Sequence, residues 1–269
     1  MTSSPPGAVR DLPLRVVVLT VGGRFGVLAL RALRARGIIP QGVVVEAHPA
    51  LRDCFHKRTP AGRLAEIPLA LMRSIWRRLR PRLRRDLRVG ASVIVSGPLD
   101  SARMREDLDR LSPDLLVLGG VGILSQDLLS IPRLGTVNVH LALLPWVRGN
   151  DVIAHSMLRD VAIGSTCHLV DAGIDTGPIL TRRLLDLARV EASLAAIEEA
   201  SVVAAAEHLA DVVQQTVGAG RLPVAVPQQE RFPLCRFLDA AARAEADRRI
   251  RAGHARTLFE RWATRLPSS

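Results

Sequence analysis

Two polar side chains stand close together at the end of a predicted strand, and a carboxylate follows further along the chain. Asn138 and His140 end the short segment Val137–His140, and Asp175 lies in a loop rich in aspartate and glycine. In a parallel α/β sheet, polar residues at the carboxyl ends of strands face the crevice where ligands bind. We therefore expect these three side chains to converge.

The three residue types suit acyl transfer to an amine, which passes through a tetrahedral intermediate bearing an oxyanion. The Asn138 amide can donate to that oxygen without titrating, and the His140 imidazole has a pKa suited to proton transfer near neutrality. Asp175 could orient the imidazole and favour its charged form. No Ser or Cys lies in a nucleophile-elbow pattern, which favours direct transfer over an acyl-enzyme. Spacing alone leaves a structural role open for each residue. Asn138 could bond to nearby backbone groups, His140 could be a packed imidazole, and Asp175 could form a turn.

A second pattern indicates a different chemistry. Gly22, Gly23 and Gly26 form a turn between a strand and a helix, and Glu46 ends the next strand, where a ribose-binding acid would lie in a dinucleotide site. The spacing is not G-x-G-x-x-G, and tight turns need glycine for steric reasons. Two interpretations of this pattern therefore stay open. The protein is a nucleotide-dependent oxidoreductase, or the turn only contacts an anionic part of some substrate through its backbone N–H groups.

The elements that must position these residues follow from hydrophobic periodicity and from Gly and Pro punctuation. We predict strands at Leu14–Thr20, Gly42–Glu46, Ala91–Ser96, Asp114–Leu118, Val137–His140 and Thr166–Val170. We predict helices at Val27–Arg36, Leu69–Leu79, Met104–Leu111, Asp151–Leu158, Glu191–Val217, Phe232–Ile250 and Ala255–Trp262. This order predicts an α/β fold, a Rossmann-like, mostly parallel sheet with helices on both faces and a short, mainly helical C-terminal tail.

Composition narrows the class of protein. The chain has 269 residues and a net charge of +11, and eight arginines with one acid lie between Arg73 and Arg88. That basic stretch is either a solvated helix face or a surface for nucleic acid, phosphorylated substrates or an anionic membrane. The three cysteines lack paired or metal-type spacing, so we expect no disulfide framework, no metal site and a cytoplasmic location. No apolar run approaches the ~20 residues that span a bilayer, so we expect no membrane partner.

From Ser112 to Leu180 the sequence resembles the folate-dependent formyltransferases, which include methionyl-tRNA formyltransferase, glycinamide ribonucleotide transformylase and sugar N-formyltransferases. The strand and loop Asp114–Leu124 fit that family. The other matching motifs are Asn138-x-His140, Leu143-Leu144-Pro145, Arg148-Gly149, Gly164-x-Thr166 and Ile174-Asp175-x-Gly177. The resemblance implies that Asn138, His140 and Asp175 are the catalytic trio and that the formyl donor is 10-formyltetrahydrofolate.

The resemblance also implies where the two substrates bind. The donor's pterin would lie between two segments, whose residues are Val121, Gly122, Ile123, Leu124, Val170, Asp171, Ala172, Gly173 and Ile174. The acceptor amine would enter beside the N-terminal turn and the following loop, with contacts to Gly22, Gly23, Trp146, Arg148 and Gly149. The implied organisation is a flexible N-terminal tail over residues 1–13, a catalytic domain over 14–217 and a mainly helical extension over 218–269.

The departures from the family concern the acceptor. Ala142 stands where the family often has Ser, and Trp146 stands where a polar or basic residue is common. Trp146 could stack on an acceptor or pack beneath the loop. The segment after Gly218 is predicted as helices and not as the oligonucleotide-binding barrel of methionyl-tRNA formyltransferase. We therefore expect a small-molecule amine, such as an amino-sugar nucleotide or an amine of a biosynthetic pathway, with an RNA-linked amine as the alternative. Whether the tail mediates a homodimer contact or caps the domain stays open.

Overall fold

The structure is a computed structural model that describes residues 13–46, 90–230 and 232–266. The predicted helix at Leu69–Leu79, the basic stretch at Arg73–Arg88 and most of the predicted N-terminal tail lie outside the described residues. Within those ranges, no helix is long and apolar enough to cross a membrane.

In the described part of the chain, seven strands form one sheet. They are β1 (Val16–Thr20), β2 (Gly42–Glu46), β3 (Ser92–Ser96), β4 (Leu115–Gly119), β5 (Gly135–His140), β6 (Gly164–Leu169) and β7 (Ile179–Leu184). Their order across the sheet is β3-β2-β1-β4-β5-β6-β7. Strands β1 to β5 are parallel, β6 is antiparallel to β5, and β7 is antiparallel to β6. The prediction of a mostly parallel sheet is confirmed, and its order reverses at β1, between β2 and β4, as in doubly wound folds.

Helices cover both faces of this sheet, as predicted. The helices of the described chain are α1 (Arg24–Ala35), α2 (Ala102–Leu111), α3 (Gln126–Leu129), α4 (Val152–Leu158), α5 (Leu194–Ala219), α6 (Ala240–Arg251) and α7 (His254–Ala263). In β1, Val16 and Val18 join a core with α1 and α5, whereas Val17 and Leu19 join a second core with α2 and α3. Because successive side chains of a strand alternate between faces, one apolar run serves both cores.

The C-terminal helices complete a third core beside the sheet. Ile250 of α6 and Leu258 and Trp262 of α7 are buried with Leu143 and with residues of α4. The tail is thus helical, as predicted, and it packs on the region that follows β5.

Several elements differ in extent from the predictions or were not predicted, among them the four-residue helix α3. The helix predicted at Phe232–Ile250 begins only at Ala240, because residues 234–238 run as extended chain along the loop after β5 and exchange hydrogen bonds with it. Helix α1 begins at Arg24 and not at Val27, directly after the glycine turn. Strand β7 was not predicted, because Thr181, Arg182 and Arg183 interrupt its apolar pattern.

Candidate active site

The structure brings Asn138, His140 and Asp175 together at the carboxyl end of β5. Asn138 and His140 lie two residues apart on β5 and therefore point to the same face. Asp175 comes from the loop between β6 and β7, and its Oδ2 lies 3.5 Å from the His140 Nδ1. His140 is 7% exposed, so the imidazole and carboxylate interact largely out of bulk water.

A main-chain carbonyl fixes the tautomer of His140. Its Nε2 lies 3.0 Å from the carbonyl oxygen of Val147, which can only accept, so Nε2 donates. The neutral ring then carries its basic lone pair on Nδ1, beside Asp175. Burial lowers the pKa of His140, while the Asp175 carboxylate and the Val147 carbonyl raise it. The ring is therefore a neutral base whose protonated form has a partner in place.

A second buried imidazole, which the sequence reasoning missed, holds the amide of Asn138. Antiparallel pairing places His168 of β6 opposite Asn138, and its Nε2 lies 3.3 Å from the Asn138 Nδ2. The His168 Nδ1 donates to the Leu169 carbonyl at 2.8 Å, which leaves Nε2 as an acceptor for the amide. Burial lowers the pKa of His168 and so favours this neutral form. One N–H of Asn138 is thus fixed, and the other remains to donate to a ligand.

Backbone groups and one distant side chain hold the loop that carries Asp175. The Gly149 N–H donates to Asp175 Oδ2 at 3.0 Å. The amide of Gln228, also missed from sequence, donates to the carbonyls of Asp175 and Gly177 at 3.1 and 2.7 Å. Asp175 itself has a φ of 53°, a left-handed conformation that Asp tolerates better than most residues. The carboxylate is therefore held from several sides.

Both segments predicted to bind the donor contact one hydrophobic core. Val121 and Val170 pack against the same hydrophobic core, and the Val170 N–H donates to the Thr136 carbonyl of β5 at 2.8 Å. Ile123 is 68% exposed and Ile174 is 39% exposed, so each segment presents an apolar side chain to solvent. Of the other predicted residues, Gly122, Ala172 and Gly173 are exposed, Asp171 is half-buried and Leu124 is buried.

The residues predicted to bind the acceptor lie on two elements. Gly22 and Gly23 form the turn from β1 into α1, and the Gly22 N–H donates to the Thr20 hydroxyl at 3.0 Å. Gly149 contacts Asp175 directly, as described above. The Nε of Arg148 is buried and lacks a hydrogen-bond partner among the described residues.

Trp146 is packed within the loop after β5. The Arg182 guanidinium lies over its ring at 5.2 Å from the centroid. The ring of Trp262 from α7 meets it edge to face, with centroids 4.8 Å apart. Of the two roles that the sequence left open for Trp146, these contacts favour packing beneath the loop. Stacking of its ring on an acceptor stays a prediction.

Glu46, the residue that suggested a dinucleotide site, is 6% exposed, and its Oε1 accepts from the Leu99 N–H at 3.3 Å. A ribose-binding carboxylate would have to face the ligand, so the geometry favours a structural role for this residue.

The comparisons with known proteins find a matching family over the segment that contains these residues. Residues 96–213 match the formyl transferase family model. Methionyl-tRNA formyltransferase from Roseiflexus sp. (strain RS-1) is 41% identical over 103 residues, which are 38% of this chain and 32% of that protein. The enzyme of that name from Legionella pneumophila (strain Corby) is 44% identical over 79 residues, which are 29% of this chain and 25% of that protein. The chain therefore spans about a third or less of the length of these curated relatives.

Solved structures share the fold at low identity. Glycinamide ribonucleotide transformylase 1 from Symbiobacterium toebii matches 84% of this chain and 100% of that chain, with a TM-score of 0.54 and 19% identity. A sugar N-formyltransferase from Shewanella sp FDAARGOS_354 matches 88% and 87%, with a TM-score of 0.53 and 15% identity. At such identities these likenesses describe the fold alone. Residues 96–213 are thus similar to formyl transferases in sequence, and the chain shares the fold of these solved structures.

Proposed function

We propose that this protein is an N-formyltransferase that moves a formyl group from 10-formyltetrahydrofolate directly to a primary amine of a small molecule. The observation that carries the proposal is the convergence of Asn138, His140 and Asp175, with a fixed imidazole tautomer and a fixed amide. The family match supports the same reaction.

The segments beside the trio fit the donor. A flat heterocycle with polar edges needs apolar contacts on its faces and backbone groups at its rim. Ile123 and Ile174 offer exposed apolar side chains, and the exposed glycines of both segments leave their backbones accessible. When bound, 10-formyltetrahydrofolate supplies the electrophilic formyl carbon.

The residues of the trio then have separate tasks. Asn138 donates its free N–H to the formyl oxygen, which becomes negative in the tetrahedral intermediate. A hydrogen-bond donor that is already in position stabilises this charge most strongly. His140 takes a proton from the attacking amine at Nδ1, and the resulting imidazolium faces the Asp175 carboxylate. The same proton can then pass to the leaving nitrogen, so no covalent enzyme intermediate is needed.

Two acceptor classes are separated by experiment. The curated relatives are named methionyl-tRNA formyltransferases, which favours an RNA-linked amine as the second candidate. The purified protein is incubated with 10-formyltetrahydrofolate and either a panel of small amines, including amino-sugar nucleotides, or methionyl-tRNA. Mass spectrometry then shows which acceptor gains one formyl group. A small amine should be formylated in preference to methionyl-tRNA; the reverse preference would replace our first candidate with the second.

A further inference from the structure

A glutamine from the segment after α5 bonds to the backbone of the loop that carries Asp175. The Nε2 of Gln228 donates to the Asp175 carbonyl at 3.1 Å and to the Gly177 carbonyl at 2.7 Å. A primary amide has two N–H groups, so it can serve both carbonyl oxygens at once. The reverse orientation would place the Gln228 Oε1 against two oxygens that only accept, so the partners fix the amide. One side chain thus spans the turn from Asp175 to Gly177.

The fold places Gln228 opposite this turn through a short antiparallel pairing. Val226 and Ile179, the first residue of β7, exchange two backbone hydrogen bonds, each at 2.8 Å. In an antiparallel pair, a step forward on one segment is a step back on the other. Gln228 therefore comes opposite Gly177, and its side chain continues the pairing where the chain leaves the sheet.

Other bonds of the loop shape it without tying it to this segment. The Leu169 N–H, at the end of β6, donates to the Pro178 carbonyl at 2.9 Å and closes the base of the loop. Within the loop, the Asp171 carboxylate accepts from the Thr176 hydroxyl at 2.7 Å. The bonds from Gln228 join the loop to a separate segment of the chain, so they restrain its movement about that base.

The place of this turn sets the place of the Asp175 carboxylate. Its Oδ2 lies 3.5 Å from the His140 Nδ1 and accepts from the Gly149 N–H at 3.0 Å. Its Oδ1 lies 3.8 Å from the His168 Nε2. The φ of 53° at Asp175 is unfavourable for a residue with a Cβ, so surrounding contacts must hold it. A shift of the turn would move the carboxylate away from both imidazoles.

We propose that Gln228 is a positioning residue, which holds the Asp175 carboxylate against His140 through the backbone of the turn. A neutral amide does this without bringing in a charge that would compete with His140 for the carboxylate. The consequence for turnover rests on the proposed function. The place of the carboxylate does not, and it can be measured in the protein without substrates.

Amide hydrogen exchange, followed by NMR on the full chain, tests the positioning directly. Gln228→Met keeps the length of the side chain and removes both donors, and Gln229→Met makes the same change at the exposed neighbour. Because the Gly149 N–H bonds to the Asp175 carboxylate, it should exchange roughly tenfold faster in Gln228→Met than in Gln229→Met or the wild type. An unchanged exchange rate at Gly149 would overturn the proposal.

The amide of Asn150 separates a local effect from a general loosening. It is the next residue after Gly149, but its N–H bonds to the Cys235 carbonyl at 3.0 Å and not to Asp175. Its exchange rate should therefore stay within about twofold of the wild-type rate. Equal acceleration at Gly149 and Asn150 would show that Gln228 only stabilises the fold.

Steady-state kinetics tests the consequence for the reaction. In Gln228→Met, kcat should fall about 10- to 100-fold, because a small misplacement of a reacting group is costly. The Asp175 carboxylate raises the pKa of His140, so its withdrawal should also move the acidic limb of kcat/KM to lower pH. The other titratable groups at this junction are His168, whose neutral form is favoured by burial, and Asp171.

Gln229→Met should keep the kcat and the pH profile of the wild type. A wild-type kcat in Gln228→Met, or an acidic limb that stays in place, would overturn the role of Gln228 in the reaction. A wild-type protein that transfers no formyl group would instead contradict the proposed function, and the exchange rate at Gly149 would still decide whether Gln228 positions the carboxylate. Circular dichroism confirms that each variant is folded.

Discussion

At the residue scale, the proposed chemistry depends on two imidazoles whose tautomers are set by main-chain carbonyls. Val147 fixes the proton on Nε2 of His140, and Leu169 fixes the proton on Nδ1 of His168. The first arrangement leaves a base facing Asp175, and the second leaves an acceptor that holds the Asn138 amide. Neither arrangement needs a charged histidine at rest, which agrees with the lowered pKa values of both rings.

Replacing Asp175 by Asn should remove the negative charge of the side chain while keeping its size and backbone conformation. Asn also tolerates the left-handed backbone at this position, and its carbonyl can still accept from Gly149. The change removes the carboxylate that raises the pKa of His140, so that pKa falls further. The acidic limb of kcat/KM should therefore move to lower pH, and kcat should fall about 10²- to 10⁴-fold. A limb that stays in place or moves to higher pH would contradict the role assigned to Asp175.

His168 should act through Asn138 and not on the substrate. His168→Phe leaves the Asn138 amide without its acceptor, so kcat should fall roughly 10-fold or more with little change in the KM for the donor. In an Asn138→Ala background the same substitution should have no further effect on kcat. Additive losses in this double-mutant cycle would show that His168 has an independent role.

The candidate site could be predicted only in part from sequence, because some of its residues lie far apart along the chain and meet only in the folded protein. Asn138 and His140 share one strand, so their common orientation follows from a local rule. His168 reaches Asn138 only through the antiparallel register of β5 and β6, and that register cannot be deduced from either segment alone. Gln228 lies in an irregular segment whose hydrogen bonds to the Asp175 loop have no local pattern.

At the element scale, the segment 234–238 holds the loop that contacts the Asp175 carboxylate. The Cys235 N–H donates to the Arg148 carbonyl at 2.8 Å, and the Asn150 N–H donates to the Cys235 carbonyl at 3.0 Å. Gly149, between these two loop residues, donates to Asp175. This pairing explains why the segment is not helical, since its backbone groups bond to the loop instead of to a helical turn.

Gly149→Ala should disrupt this junction. Its φ is 104°, and an added Cβ would lie 2.4 Å from the carbonyl oxygen of Cys235. Gly37→Ala is the matched control, because Gly37 has a φ of 74° and open space around its Cα. Left-handed strain should cost the control about 1–2 kcal/mol, and the clash should cost Gly149→Ala about 1–3 kcal/mol more.

Chemical denaturation of the two glycine variants measures the difference, and the kcat of the Gly149 variant should fall while that of the control does not. Equal stability losses, or full activity in Gly149→Ala, would show that the loop does not depend on this contact.

At the scale of the whole molecule, the C-terminal helices belong to the same folded unit as the region after β5. Trp262 is 6% exposed, its indole N–H donates to the Asp160 carbonyl at 3.2 Å, and its ring meets Trp146. Arg243 of α6 pairs with Asp151 at 3.0 Å and with Glu198 at 2.7 Å. The amphipathic pattern predicted these helices, but sequence alone could not show which surface they cover, because that depends on contacts between distant segments.

Trp262→Ala should therefore destabilise the whole molecule by about 3–5 kcal/mol. Unfolding should remain a single transition when followed by circular dichroism and by fluorescence of the remaining tryptophans. Two separate transitions, or a loss below about 1 kcal/mol, would indicate that the tail is an independent appendage. Arg256→Ala, on the exposed side of the same helix, is the control and should change the free energy of unfolding by at most about 0.5 kcal/mol.

The most direct test of the account is formyl transfer from 10-formyltetrahydrofolate with a ¹³C-labelled formyl carbon, using wild-type protein and His140→Asn in parallel. Mass spectrometry of the amine panel measures the label gained by each acceptor. We expect the wild type to transfer the labelled carbon to a primary amine, and the variant to do so about 10²- to 10⁴-fold more slowly while still binding the donor. A wild-type protein that binds no donor, or a His140→Asn variant that transfers at the wild-type rate, would contradict the central claim.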